Sequence, residues 1–313
     1  MKIPNVATTS GNNFFGWLPM PWEIEKVLNQ LERPIFGCAA SHLKGSGKGK
    51  KVVLYDAQKA VIGKVLSYAA QQLGDCVGFM GGRITDIVTC VEIALKGERE
   101  RWVAPASSEA AYALSRVEIG GGQLGNSDGS TGGWMAKALK QYGALLRLVY
   151  EVGGETFDLR EYSGKLAKSW GRTGLPDVLE PTAKEHPFRT VSLVDTYEEA
   201  RDAIANGYPV GPCSMQGFEG ATRDKDGFIK PSGSWAHAMV FGGVWDDEKR
   251  PGLLLDNKSW TDGWVKGPLP DDIPEGTAWV DAEVCDGMLR QKDSFAYSQY
   301  EGYPAQDLDH LLI

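Results

Sequence analysis

Cys76 stands in the stretch "QQLGDCVGF", between a Gly-Asp turn and a long apolar run. A thiolate is a far better nucleophile than a thiol. To supply one, a cysteine needs an electropositive site that brings its pKa from about 8.5 into the range of roughly 3.5–7.5. A helix N-terminus offers partial positive charge, and a neighbouring imidazolium offers a full one. Attack on an acyl carbon also needs donors aimed at the developing oxyanion. The amide of a cysteine in the first helical turn has no intrahelical partner and is one such donor. The side-chain amide of Gln71 or Gln72 is a second. The alternative for such a thiol is a small buried hydrophobe, which fits Cys90, Cys213 and Cys285, while Cys38 has only His42 nearby.

The chain has four histidines, His42, His186, His237 and His310. His237, in "SWAHAMVFGG", heads an apolar run that reads as a buried strand. It is either a hydrogen-bonded core residue or a base at a strand end facing a cleft. About twenty residues on, "LLLDNKSWTDGW" holds Asn257, whose side chain can accept from the second ring nitrogen of a histidine and fix its orientation.

These residues need elements to carry them. Val77, Met80, Ile84, Ile87, Val91 and Leu95 form one apolar stripe and predict a helix of about twenty residues, with Asp75 as N-cap and Gly97 as stop. Cys76 then falls at its first position. In "VEIGGGQLGNSDGSTGG" the GxGxxG spacing is met but no helix follows it, so the stretch reads as a long flexible loop and not a dinucleotide site. Further helices are expected at about 134–145 and at 196–207, where Gly207 closes the second. After them the pattern turns strand-like, in "YPVGPCSM", "HAMVFGGVW", "GLLLDNKSW" and "TAWVDAEV". Helices early and strands late predict an α+β protein with segregated halves.

Five blocks, "QQLGDCVGF", "DGSTGGWMAKALKQYG", "NGYPVGPCSM", "SWAHAMVFGGV" and "DNKSWTDGW", together resemble the papain-like cysteine peptidases, in order and rough distance, over about residues 55–280. The flavour is that of the divergent bacterial and phage members. The resemblance implies a two-lobed fold, with a helical lobe carrying the Cys helix and a β-rich lobe carrying His and Asn. It implies Cys76 as nucleophile, His237 as base, Asn257 as its orienter and Gln71 as the oxyanion donor. It also implies Gly132 and Gly133 along the substrate cleft, and Trp260 as a shield over the His–Asn pair. The activity implied is thiol-dependent hydrolysis of a peptide or isopeptide bond in a peptide or protein substrate, without cofactor or metal. Other acyl transfers on the same fold, or a non-catalytic particle component, are the alternatives.

Three departures set further expectations. Cys-Trp of the family is Cys-Val here, and the spacing to the glutamine is one residue short, which favours Gln71 over Gln72. The family's Asn-Ser-Trp reads Lys258-Ser259-Trp260, so Asn257 comes one place early. A one-residue offset flips a strand side chain. Either a bulge restores Asn257, in which case Asp256→Ala is nearly neutral and Lys258 faces outward, or Asp256 orients the imidazole. Cys76 is expected to be alkylated before the other four cysteines.

The remaining sequence bounds the setting. The net charge of −8 argues against a general nucleic-acid or anionic-membrane surface. No signal peptide or apolar run of spanning length is visible. Five scattered cysteines make neither a disulfide framework nor a zinc site and fit a reducing compartment, cytoplasmic or virion-associated. Residues 1–54 read as an N-terminal extension ending in a flexible basic connector, "KGSGKGKK", and packing against the domain as a structural appendage. Residues 55–290 read as the peptidase domain and 291–313 as a tail.

Overall fold

The computed structural model describes residues 9, 10, 13–96 and 101–308. The longer helices are α1 (Pro21–Leu28), α2 (Tyr55–Ile62), α3 (Cys76–Lys96), α4 (Ser108–Ala113), α5 (Gly132–Tyr142), α6 (Gly164–Thr173), α7 (Tyr197–Ile204) and α8 (Ala282–Leu289). The strands used below are β1 (Lys51–Val53), β2 (Thr190–Leu193), β3 (Val210–Gly211), β4 (Cys213–Gln216), β5 (Ser234–Ala238), β6 (Val240–Trp245), β7 (Gly252–Asp256), β8 (Thr277–Asp281) and β9 (Phe295–Ser298). An antiparallel sheet runs β8-β7-β6-β3-β9-β2, with β1 added on β6, and β4 pairs with β5 beside it. The architecture is α+β.

The predicted apolar stripe forms α3, and all six of its residues except Leu95 are buried. Gly78 and Phe79 amides donate to the Asp75 carbonyl, so Asp75 holds the N-cap position. Its carboxylate does not cap the helix. It accepts instead from the Tyr162 hydroxyl at 2.8 Å. The Gly97 stop lies outside the described residues. Gly78, Gly81 and Gly82 let neighbours close on α3; a Cβ on Gly78 would press on the backbone of Ser108 in α4. α7 starts at the Thr196 cap and ends before Gly207, whose φ of 87° needs no Cβ.

Three expectations change. The glycine-rich stretch after Val117 is not a flexible loop. Residues Leu114–Ile119 wind as a π-helix, and Arg116, buried within it, donates to the carbonyls of Gly125, Ser127, Gly129 and Gly171. Its guanidinium, which also donates to the Tyr112 hydroxyl at 3.2 Å, spends most of its donors on backbone carbonyls and so orders the glycines. The basic connector is likewise pinned: Gly45 and Gly47 amides donate to Asp202, and the Gly49 amide to Asp246. The C-terminal stretch supplies β9, an inner strand between β3 and β2.

Residues 14–54 pack into the main core through Phe15, Trp17, Met20, Ile24, Phe36 and Leu43. Among the described residues no helix is long and apolar enough to cross a membrane.

Candidate active site

Cys76 opens α3, and His237 lies on β5, which packs against that helix end. The Ala238 amide, next along from His237, reaches the Cys76 sulfur. The imidazole Nε2 is 2.8 Å from Asn257 Oδ1, the bond that fixes the ring. Ser259 Oγ donates to the same Asn257 oxygen at 2.9 Å and lies 3.3 Å from Nε2. Nδ1 has no hydrogen-bond partner among the described residues and is the nitrogen left for the thiol. The Trp260 ring lies over the imidazole at 4.6 Å between centroids, tilted by 31°.

Asn257 reaches His237 without a bulge beside it. β7 ends at Asp256, and Asn257 (φ −123°, ψ 41°) turns out of the strand into the 3₁₀ turn Lys258–Trp260. The register shift in this part of the sheet falls on β6, between Phe241 and Gly243. Strand alternation therefore does not govern Asn257. Asp256 points elsewhere: its carboxylate accepts from Tyr55 Oη at 2.7 Å, Arg83 Nη1 at 3.1 Å and the Lys258 amide at 2.7 Å. Two expectations are thereby corrected. Lys258 is buried, its ammonium on the Leu66 carbonyl and Asp262. Asp256→Ala is not neutral, because removing one partner of a buried ion pair typically costs about 3–5 kcal/mol. If Asn257 orients the imidazole, Asn257→Ala in a chain whose strap is displaced by Gly16→Glu is expected to lower turnover about ten- to a hundredfold with folding intact, read as kcat beside the melting temperature.

Gln71 is buried with its side-chain Nε2 in the site, while the exposed Gln72 turns to the Tyr162 hydroxyl through its amide N–H. The Gln71 backbone amide donates to the Ser259 carbonyl at 2.8 Å, tying the donor loop to the Asn257 turn. Gly132 and Gly133 begin α5, and their amides cap onto the Asp293 carboxylate at 2.8 and 2.6 Å. Pairing along the cleft is made instead by Ser130, two residues earlier.

What Ser130 pairs with is the chain's own N-terminal segment. Residues 14–18 cross the site as a strap. The Phe14 carbonyl accepts from Gln71 Nε2 at 2.9 Å and from Trp260 Nε1 at 3.2 Å. The Phe15 ring stands edge-on to His237 and Trp260. Gly16 and Trp17 amides donate to the Ala236 carbonyl, the Ser130 amide donates to the Gly16 carbonyl, and the Leu18 amide to the Ser130 carbonyl. The Trp17 indole donates to Asp293 at 2.6 Å. Nothing in the aromatic run "NNFFGWLP" distinguishes a strap from a core segment; Gly16, flanked by large rings, is its one sequence mark.

Burial sets the electrostatics. Burial pushes the Cys76 thiol up to about 12, against the pull of the Ala238 and Gly16 amides. Burial also draws His237 down to about 3, with the Asn257 bond opposing and the Arg83 cation assisting. Thiol and imidazole are thus both neutral here. The expected labelling order inverts for the same reason: Cys38 is exposed and Cys76 is covered, so Cys38 reacts first in the strapped protein. Among the described residues, no group of three or more His, Cys, Asp or Glu side chains is arranged to hold a metal ion.

No family profile matches the chain, and no curated protein matches it in sequence. Solved structures do. Xylellain, a cysteine protease from Xylella fastidiosa, aligns over 95% of this chain and 99% of its own at a TM-score of 0.55 and 14% identity. The proform of Amb a 11, a ragweed pollen cysteine protease, aligns over 79% of this chain and 64% of its own at a TM-score of 0.47 and 14% identity. Procathepsin B S9 from Trypanosoma congolense aligns over 82% and 77% at 0.45 and 12% identity. The chain has the two-lobed fold of the papain-like cysteine peptidases.

Proposed function

We propose that the protein hydrolyses peptide or isopeptide bonds through a Cys76–His237–Asn257 site. The observation that carries this is the 2.8 Å bond from His237 Nε2 to Asn257, which leaves Nδ1 unpartnered on a strand beside the helix-start cysteine. In the open site the thiol proton passes to His237 Nδ1, and the sulfur attacks the carbonyl carbon. The Cys76 amide and Gln71 Nε2 hold the oxyanion. The C–N bond breaks as the imidazolium returns its proton to the leaving amine. Water, deprotonated by the same imidazole, then releases the acid and restores the thiol.

The strap holds this site shut. It occupies the Gln71 donor, covers the imidazole and buries the sulfur. It therefore belongs to a latent form, and activity requires its displacement. The leaving-group side of the cleft lies beside the imidazole, where Phe15 joins Trp235, Trp260, Trp264 and Phe218 in lining a space of about 480 Å³. The strap runs from that side toward Ser130. A substrate must run the other way, with its amine product next to His237, so the strap blocks the cleft without being presented for cleavage.

The test uses the full chain carrying Cys38→Ser and Gly16→Glu, the second to lift the strap. Turnover of a peptide library, stopped by an epoxide that maps to Cys76, supports the reading. Turnover of peptidoglycan amides alone, again through Cys76, moves the substrate class. Unreactive Cys76 with no turnover in the opened protein sinks it.

A further inference from the structure

Arg83 is a cation in the middle of an apolar helix, "GFMGGRITDIV", and is 1% exposed. Such a residue is a structural burden unless it is paired. Its pairing is directed at one place. Nη1 meets Asp256 Oδ1 at 3.1 Å, while Nε and Nη2 make no hydrogen bond among the described residues. The second Asp256 oxygen takes the Tyr55 hydroxyl at 2.7 Å, and Oδ1 also takes the Lys258 amide. Tyr55 is itself seated from below: its ring lies where a Cβ of Gly242 would be, at the irregular register of β6. Three elements, α2, α3 and β7, thus converge on one carboxylate.

That carboxylate sits at the point where β7 stops. Its bond to the Lys258 amide starts the 3₁₀ turn that swings Asn257 out of strand alternation. The turn then does two things: Ser259 Oγ and Asn257 Oδ1 meet the imidazole, and the Ser259 carbonyl holds the Gln71 amide. We propose that Arg83, Asp256 and Tyr55 form a positioning clamp. It sets the Asn257 orienter and the Gln71 donor together, and so couples the base to the oxyanion site. None of the three touches substrate. The clamp also accounts for the escape of Asn257 from strand alternation: β7 and its pairing end at Asp256, where the buried ion pair holds the start of the turn. The inference deepens the peptidase reading and rests on it for its kinetic arm only.

The experiment has two arms. In the full chain, imidazole nitrogen-15 spectra follow the His237 Nε2–H held by Asn257; with four histidines in the chain, assignment is direct. Asp256→Asn is expected to lose the slowly exchanging Nε2–H signal while the melting transition stays cooperative. In the Gly16→Glu background, Asp256→Asn and Arg83→Met are expected to lower kcat about ten- to a hundredfold with KM within about twofold. Arg83→Lys is expected to recover most of that loss, because Arg83 uses only one nitrogen on Asp256. Should Asp256→Asn fail to fold, Tyr55→Phe removes a single bond to the carboxylate and should lower kcat about three- to tenfold. An unchanged Nε2–H with kcat within twofold overturns the clamp, as does a loss carried by KM. No turnover in the Gly16→Glu parent defeats the peptidase reading, and the Nε2–H signal still decides the clamp.

Discussion

Gly16→Glu is expected to speed alkylation of Cys76 by about ten- to a hundredfold. The strap passes over the site by stacking Gly16 on Gly74. A Cβ on Gly16 would fall inside the Gly74 carbonyl, and a Cβ on Gly74 would fall against the Phe15 carbonyl. Both obstacles are backbone and cannot rotate away, so a side chain there must lift the segment. An overpacking cost of about 1–3 kcal/mol corresponds to that range of opening. The measurement is the second-order rate with iodoacetamide in a Cys38→Ser chain, with Cys76 identified by peptide mapping. Trp17→Ala, which removes the indole from Asp293, should raise the same rate by a smaller factor. A rate unchanged in both variants would mean that the strap does not guard the thiol.

Acid should act in the same direction. In the closed form His237 stays neutral down to about pH 3. In an open form that keeps its thiol proton the imidazole is solvated and returns toward its ordinary value, whereas an imidazolium–thiolate pair holds the same single proton as the closed neutral pair and adds no pH dependence. The open form with its thiol protonated therefore binds more protons than the closed form between about pH 3 and 6.5, and falling pH favours it, by up to about 1.4 kcal/mol per unit. A population of strapped protein that grows as pH falls from 7 to 4 would contradict this sign.

Much of the arrangement of the candidate site was legible in the sequence. Periodicity found α3 because one face of a 21-residue helix is buried, and a Gly-Asp turn put Cys76 at its start. His237 and Asn257 followed from their strand contexts and from a resemblance spread over five blocks. The failures have a common cause. Strand alternation does not govern Asn257, because it ends where the strand does, at Asp256, which is tied to Arg83 and Tyr55, 173 and 201 residues away. The glycine-rich stretch looked mobile because its order comes from Arg116 carbonyl bonds, which leave no periodic trace. The strap was hidden for the same reason: its partners, Ala236, Ser130, Gln71 and Asp293, are remote in sequence, and its contacts are mostly backbone. Local pattern reports on local forces, and each of these was settled by a long-range one.

His237→Ala, placed in the opened Gly16→Glu chain, is expected to lower turnover by about three to four orders of magnitude. On the proposed mechanism the imidazole has two tasks that no neighbour can assume: it takes the thiol proton, and it returns one to the leaving amine. Asp75, the acid closest in sequence to Cys76, is buried, with its carboxyl held well above the usual range by burial and bonded to Tyr162, so it offers no substitute base. Removal of any member of a nucleophile–base–orienter set typically leaves about 10³–10⁴ of catalysis over water, from the oxyanion donors and binding alone. The Cys76 amide and Gln71 would remain in His237→Ala, so the residual rate should be measurable and KM nearly unchanged. The thiol pKa gives an independent reading. Without the imidazolium the sulfur keeps only the helix N-terminus and the Ala238 amide, so the alkylation profile of Cys76 should move to higher pH. An alkylation profile identical to that of the opened parent would show that His237 does not pair with Cys76, whatever the loss of turnover. A loss of less than tenfold, with the profile shifted, would show pairing in the resting site but a different proton donor to the leaving amine.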